Sequence, residues 1–123
     1  MSESRIAEWL DEVRAGLPHR PTAEQLDELV DAGALVVDIR PVEQRRRDGE
    51  LPGAVVVDRN VLEWRLDPTS PDRLPGMDDP DRLIVLVCNE GYASSLAAAG
   101  LQRIGLPRAT DLDGGFQAVL KLR

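Results

Sequence analysis

One stretch of this 123-residue chain combines residue types and spacing suited to covalent chemistry: Cys88-Asn89-Glu90-Gly91-Tyr92-Ala93-Ser94-Ser95. Cys88 directly follows the apolar run Leu83 to Val87. Beyond the serines, Leu96, Ala97, Ala98, Ala99, Leu101 and Ile104 fall at helical spacing. The pattern predicts a strand, a tight turn and a helix, with the thiol at the carboxyl end of the strand. In open α/β sheets the ligand crevice lies there. Gly91 supplies the backbone freedom that such a turn needs. Amides of the turn, with the free N–H groups of the first helical turn, then converge on the sulfur as an anion cradle. Surroundings of this kind favour thiolate over thiol and bring cysteine pKa values from about 8.5 to roughly 3.5–7.5. A nucleophile activated by backbone dipoles needs no histidine. The competing reading of a lone cysteine after an apolar strand is a small buried hydrophobe, but packing alone does not call for the glycine and the serines.

Composition narrows the chemistry further. With one cysteine there is no internal disulfide, and one cysteine with one histidine cannot close a zinc site. A Ser-His-Asp hydrolase would depend on His19, which stands in the Pro-flanked, exposed stretch Pro18-His19-Arg20-Pro21. Thioredoxin-like chemistry needs a resolving second cysteine. Cysteine phosphatases use Cys-x5-Arg, because the guanidinium clamps the phosphoryl oxygens. Here the sixth residue after Cys88 is Ser94, and Glu90 would face the phosphate. A net charge of −7 and a pI near 4.7 argue against nucleic acid or an anionic membrane as partner. Met1 to Asp11 carries acids where a signal peptide would carry an apolar run, and no 18 apolar residues occur in succession. A reducing cytoplasm is the compartment expected, and the reading calls for no metal and no cofactor.

The elements that must position Cys88 follow from periodicity. Ser4 to Leu17 reads as an amphipathic helix with Ile6, Trp9, Leu10, Val13 and Leu17 at helical spacing, and Pro18 sits past its end. Thr22 and Gln25 form a capping-box pattern ahead of Leu26, Leu29 and Val30, a second helix ending near Gly33. Ala34 to Val37, Ala54 to Val57 and Leu83 to Val87 are continuous apolar runs, each expected to be a strand covered on both faces. Helical patterns over Val42 to Arg47, Val61 to Leu66 and Ala93 to Ile104 lie between and after them. The fold class expected is α/β, with a mainly parallel central sheet flanked by helices. Ala109 to Leu112 is shorter and more polar, an edge strand, followed by Gly114-Gly115 and a last helical turn. Asp67 to Arg82, rich in Pro and Asp, reads as a surface loop, since the segments on either side are too small to fold alone. The run Arg45-Arg46-Arg47 is either an anion site or, as such runs usually are, the solvated face of a helix.

Against this background the chain resembles the rhodanese-like sulfurtransferases. Cys88 to Ser94 is similar to the family's active-site loop, Cys-x-x-Gly-x-Arg/Ser-Ser. Asp38-Ile39-Arg40 with Glu43 resembles its Asp-x-Arg signature, and Gly49-Glu50-Leu51-Pro52-Gly53-Ala54 its Gly-His-Ile-Pro-Gly-Ala. Leu112-Asp113-Gly114-Gly115-Phe116-Gln117-Ala118 is similar to its terminal Gly-Gly-x-x-Ala-Trp segment. Together the four motifs run from about Thr22 to Val119, in family order. The resemblance divides the chain into a rhodanese-like domain over 22–123, with helices on both faces of its sheet, and an N-terminal helical extension over 1–21. That extension packs on the domain or on a second copy of the chain.

The resemblance implies a thiosulfate:cyanide-type sulfurtransferase. Cys88 attacks a sulfane-sulfur donor, such as thiosulfate or a low-molecular-weight persulfide, and carries the sulfur as a persulfide. Cyanide, a thiol or a protein acceptor then takes it. The substrate cradle would be formed by Asn89, Glu90, Gly91, Tyr92, Ala93 and Ser94, with Ser94 and Ser95 adding hydroxyl donors. Asp38, Arg40 and Glu43 would support the neighbouring loop as a polar network. Arg59 and Arg65 either restore positive charge at the pocket or lie on the surface. Ala93 stands where the family often has an arginine and Glu90 adds an acid, so both weaken attraction for a dianion such as thiosulfate. Glu50 replaces the motif's histidine, and Val119 replaces the usual tryptophan before a short last helix. The rival reading is a non-catalytic or persulfide-sensing rhodanese-like module that binds a partner; the presence of Cys88 counts against it.

Overall fold

The apolar runs pair as parallel strands in the computed structural model, which describes residues 4–123. The strands β1 (Leu35–Asp38), β2 (Val55–Val56), β3 (Ile84–Val87) and β4 (Ala109–Asp111) lie in the order β2-β1-β3-β4, every neighbouring pair parallel. Register places Leu35 opposite Ile84 and Asp38 opposite Val87. The carboxyl ends of the two central strands, with Ile39 and Cys88 just beyond, therefore share one rim of the sheet.

Six helices surround it: α1 (Arg5–Ala15), α2 (Leu26–Asp31), α3 (Val42–Asp48), α4 (Leu62–Leu66), α5 (Ala93–Arg103) and α6 (Gly115–Leu120). Side chains alternate across the sheet as strand geometry requires. Leu35, Val37, Ile39, Ile84, Leu86 and Cys88 join one core with Leu62 and Leu66 of α4 and Ala97, Ala98 and Leu101 of α5. Val36, Val85 and Val87 join the other with Leu26 of α2 and Phe116 and Val119 of α6. Helices on both faces explain why β1 and β3 read as unbroken apolar runs. No helix among the described residues is long and apolar enough to cross a membrane.

Two expectations need correction, and a third holds in an unexpected setting. The run Ala54 to Val57 forms only a two-residue strand at a sheet edge, with Val55 39% and Val56 45% exposed, not a strand covered on both faces. The edge position, next to β1 alone, leaves one side of β2 unpartnered. Conversely β4 is an edge strand as expected, yet Ala109, Thr110 and Asp111 are wholly buried. Segment 16–21 runs alongside it, with Thr110 donating to the Pro18 carbonyl (3.2 Å) and the Asp113 amide to Pro21 (2.9 Å). Finally, α1 forms with Ser4 as its cap, the Ala7 amide donating to Ser4 Oγ. Of its apolar stripe, however, only Leu10 is buried; Ile6 and Trp9 are more than half exposed.

The helix packs against α5, and residues 1–3 of the expected 1–21 segment lie outside the described residues. Residues 67–82 contain no helix or strand, but they are pinned by Met77, buried in the core, and by the Leu74 amide donating to Arg65 (2.8 Å).

Candidate active site

Cys88 ends the apolar alternation of β3, and the residue is 8% exposed at the floor of the turn that leads into α5. The Gly91 amide donates to Sγ at 3.1 Å and the Ser94 amide at 3.4 Å, while the thiol donates to Ser94 Oγ at 3.1 Å. Gly91 makes this possible with φ of +88°, a conformation that L side chains rarely adopt. A Cβ there would also stand 3.0 Å from the Gly114 amide nitrogen. The turn thus presents backbone donors to the sulfur from two positions.

Behind the loop lies a polar network around a buried carboxylate. Ser94 Oγ donates to Asp111 Oδ2 at 2.7 Å and Ser95 Oγ to the same oxygen at 2.8 Å. Arg20 completes it, Nε donating to Asp111 Oδ1 at 2.7 Å. Burial works to lower the Arg20 pKa, but the hydrogen bond and charge of Asp111 outweigh it. Asp113 and Cys88 add smaller contributions, and the result lies above the ordinary arginine value. Arg20 also reaches the Gly91 carbonyl at 3.3 Å, and Arg14 reaches it at 2.6 Å while donating through Nε to Ser95 Oγ at 3.1 Å. The Arg14 guanidinium stands 5.6 Å from the centre of the Tyr92 ring. Ser95 therefore faces Asp111 and the arginines rather than the sulfur, a correction to its expected role as a donor at the cradle. Ser94 does touch the sulfur, but its single hydroxyl proton goes to Asp111 and it accepts from the thiol.

A cleft of about 390 Å³ opens over Cys88, lined by Ile39, Arg40, Pro41, Gln44, Arg59, Asn89, Glu90, Tyr92 and Ala93. The structure thereby brings together most of the residues singled out from the sequence. Glu90, Tyr92 and Ala93 are exposed at its wall. Asn89 is tied down from the other side, its Oδ1 accepting from Gln117 Nε2 at 2.9 Å. Arg59 lines the cleft but is paired with Glu63 at 3.0 Å.

Arg65 does not line it. Its Nη1 donates to the Asp72 carbonyl at 2.7 Å and braces the 67–82 loop instead. Asp38 and Arg40 form a fully buried pair at 2.8 Å, and Arg40 also donates to the Gly49 carbonyl at 2.9 Å. The Arg40 guanidinium stacks 3.6 Å from the Phe116 ring centre, so this pair ties the loop after β1 to the helix after β4. Glu43 is no part of that network. It is exposed on α3 and has no hydrogen bond or ion pair among the described residues. Glu50 is exposed and pairs with Arg45 at 3.0 Å, a surface contact as expected.

Sequence reasoning did not single out Asp111, Arg14 or Arg20, and it named Gly115 only as part of a motif, without its structural reason. An aspartate inside a strand segment is a signal, because a buried carboxylate requires a cation and donors. Gly115 has a different reason. A Cβ there would lie 2.6 Å from the Cys88 carbonyl oxygen and 2.7 Å from the Asn89 carbonyl. Its absence lets α6 dock its first amides on the loop, Phe116 to Cys88 O (2.9 Å) and Gln117 to Asn89 O (3.0 Å).

Comparison with known proteins agrees with this geometry. The family model described as Rhodanese-like domain matches residues 22–122. Thiosulfate sulfurtransferase GlpE of Stutzerimonas stutzeri is 32% identical over 94 residues, 76% of this chain and 77% of that protein. Among solved structures, a protein of unknown function from Rhodopseudomonas palustris, described as a possible tyrosine phosphatase, is 31% identical with a TM-score of 0.83. That match covers 99% of this chain and 93% of its own. A rhodanese homolog from Thermus thermophilus is 32% identical, with a TM-score of 0.58 over 81% of this chain and 99% of that one. With its cysteine loop after β3, its parallel sheet and these relatives, the chain belongs to the rhodanese-like domain family.

Proposed function

We propose that the protein is a sulfurtransferase that carries sulfane sulfur on Cys88. The observation that carries this reading is the Cys88 sulfur held by the Gly91 and Ser94 amides at the floor of an open cleft. Its relation to a thiosulfate sulfurtransferase supports it.

In the first step the Cys88 thiolate attacks the outer sulfur of the donor. With thiosulfate a new S–S bond forms, the donor's S–S bond breaks, and sulfite leaves with the electron pair. The outer sulfur of the resulting persulfide carries the negative charge, which the turn amides stabilise. In the second step an acceptor, cyanide or a thiol, attacks that outer sulfur and Cys88 leaves as thiolate. A low-molecular-weight persulfide or a protein persulfide suits the cleft better than thiosulfate. Glu90 stands at its wall, Ala93 adds no charge, and Arg59 is already paired. A reducing cytoplasm is the compartment in which such a thiol works.

The rival reading is a persulfide-sensing or purely binding module. A phosphatase reading, raised by the description of the Rhodopseudomonas protein, meets Ser94 where the phosphate clamp belongs. A single assay separates them. Incubated with sulfane donors and cyanide, the protein should release thiocyanate over many turnovers, and Cys88→Ser should release none. Under the same conditions it should leave an aryl phosphate intact. Phosphate release without thiocyanate would overturn the proposal in favour of the phosphatase, and neither product would favour the binding module.

A further inference from the structure

The family match begins at residue 22, yet two arginines before it reach the back of the cysteine loop. We infer that Arg14 and Arg20 are positioning residues for the Cys88 loop, so that the N-terminal segment completes the site. The inference rests on the sulfurtransferase reading above.

The Gly91 oxygen accepts from Arg14 Nη2 (2.6 Å) and Arg20 Nη2 (3.3 Å). No peptide bond in the described chain is cis. In a planar trans peptide the carbonyl and the following N–H point in opposite directions. Holding the Gly91 oxygen on the arginine side therefore turns the Tyr92 N–H away from the arginines. Donation to a carbonyl also polarises its peptide and strengthens the N–H as a donor. The same peptide group is adjacent to the Gly91 amide that bonds Sγ.

Charge gives a second, independent reason. The loop has no arginine of its own, since Ala93 stands at that position and Glu90 adds an acid. Arg14 is half-buried, and among the described residues no carboxylate pairs with it. Removing a cation from water without a counter-charge is costly. From behind the loop that charge favours an anion arriving at Cys88, or the persulfide itself, through its field rather than by contact. Arg20, neutralised by Asp111, contributes geometry more than charge.

The test uses the full chain with Arg14→Ala, Arg20→Ala and the double variant, reading kcat/KM for thiosulfate and the rate of Cys88 alkylation by iodoacetamide. Misplacing the cradle should lower kcat/KM about tenfold in each single variant, with the circular dichroism spectrum unchanged. Guanidinium ion at roughly 20 mM, far below denaturing levels, should restore part of the loss in Arg14→Ala. Sodium chloride at equal ionic strength should not. A kcat/KM within about twofold of the parent overturns the inference. A loss that guanidinium does not relieve reduces Arg14 to a packing contact and also overturns it. Should the parent chain transfer no sulfur at all, the sulfurtransferase reading fails separately. The inference is then decided by alkylation alone, where unchanged rates in all three variants overturn it.

Discussion

Cys88 has its chemistry because its neighbours are backbone rather than side chain. Two amides meet the sulfur, and the one hydroxyl within reach is turned toward Asp111. This arrangement explains how a chain with one histidine, exposed and bonded to Gln25, can still hold a nucleophile. The weak point at this scale is charge at the cleft wall. Ala93→Arg places a guanidinium at the first residue of α5 beside Cys88, and the KM for thiosulfate should fall about fivefold, the equivalent of roughly 1 kcal/mol for a partly exposed ion pair. An unchanged or higher KM would remove electrostatics as the reason for a preference against dianions. A different outcome is expected for Asp111→Asn. It leaves Arg20 with only the exposed Asp113 at 3.5 Å as counter-charge, and unfolding in urea should show a loss of about 3 kcal/mol. A loss under about 1 kcal/mol would mean that Asp111 is not the anchor of the loop. Of these residues Cys88 and Gly91 were legible in the sequence because a strand, a turn and a helix are local signals. Asp111, Arg14 and Arg20 were not, since what they do depends on partners more than 70 residues away.

Elements show the same division. The unbroken apolar runs of β1 and β3 announced a sheet covered on both faces, and the register delivers Cys88 to the rim beside Ile39. Edge strands were less legible. β2 is as apolar as its neighbours in sequence but exposed, while polar β4 is buried because segment 16–21 lies along it. Which strand becomes an edge is a property of the assembled sheet, not of any one strand. The last helix carries the least obvious requirement. Gly115→Ala would force a Cβ into the Cys88 and Asn89 backbone at a residue with φ of +61°. It should lower both stability, by roughly 1–3 kcal/mol, and thiocyanate formation. Gly105→Ala, at φ of +94° with open space around it, is the matched control. It should cost stability alone, leaving the kinetic constants unchanged. Equal activity in the two variants would show that α6 does not shape the loop.

At the scale of the whole molecule, the acidic balance and the single cysteine acquire a common meaning. A net charge of −7 disfavours polyanions, and at the cleft the same tendency appears as Glu90. Against it stand Arg14 and Arg20, drawn from outside the family-matched region to the back of the loop. The Rhodopseudomonas structure, aligned over 99% of this chain, includes the segment that carries them. In the proposed reaction Cys88 itself carries the transferred sulfur, and intact-mass spectrometry reads that directly. After incubation with a sulfane donor and removal of the excess, the protein should have gained the mass of one sulfur atom. Cyanide should discharge it, and Cys88→Ser should gain none. An unchanged mass with every donor, or the same gain in Cys88→Ser, would contradict the account.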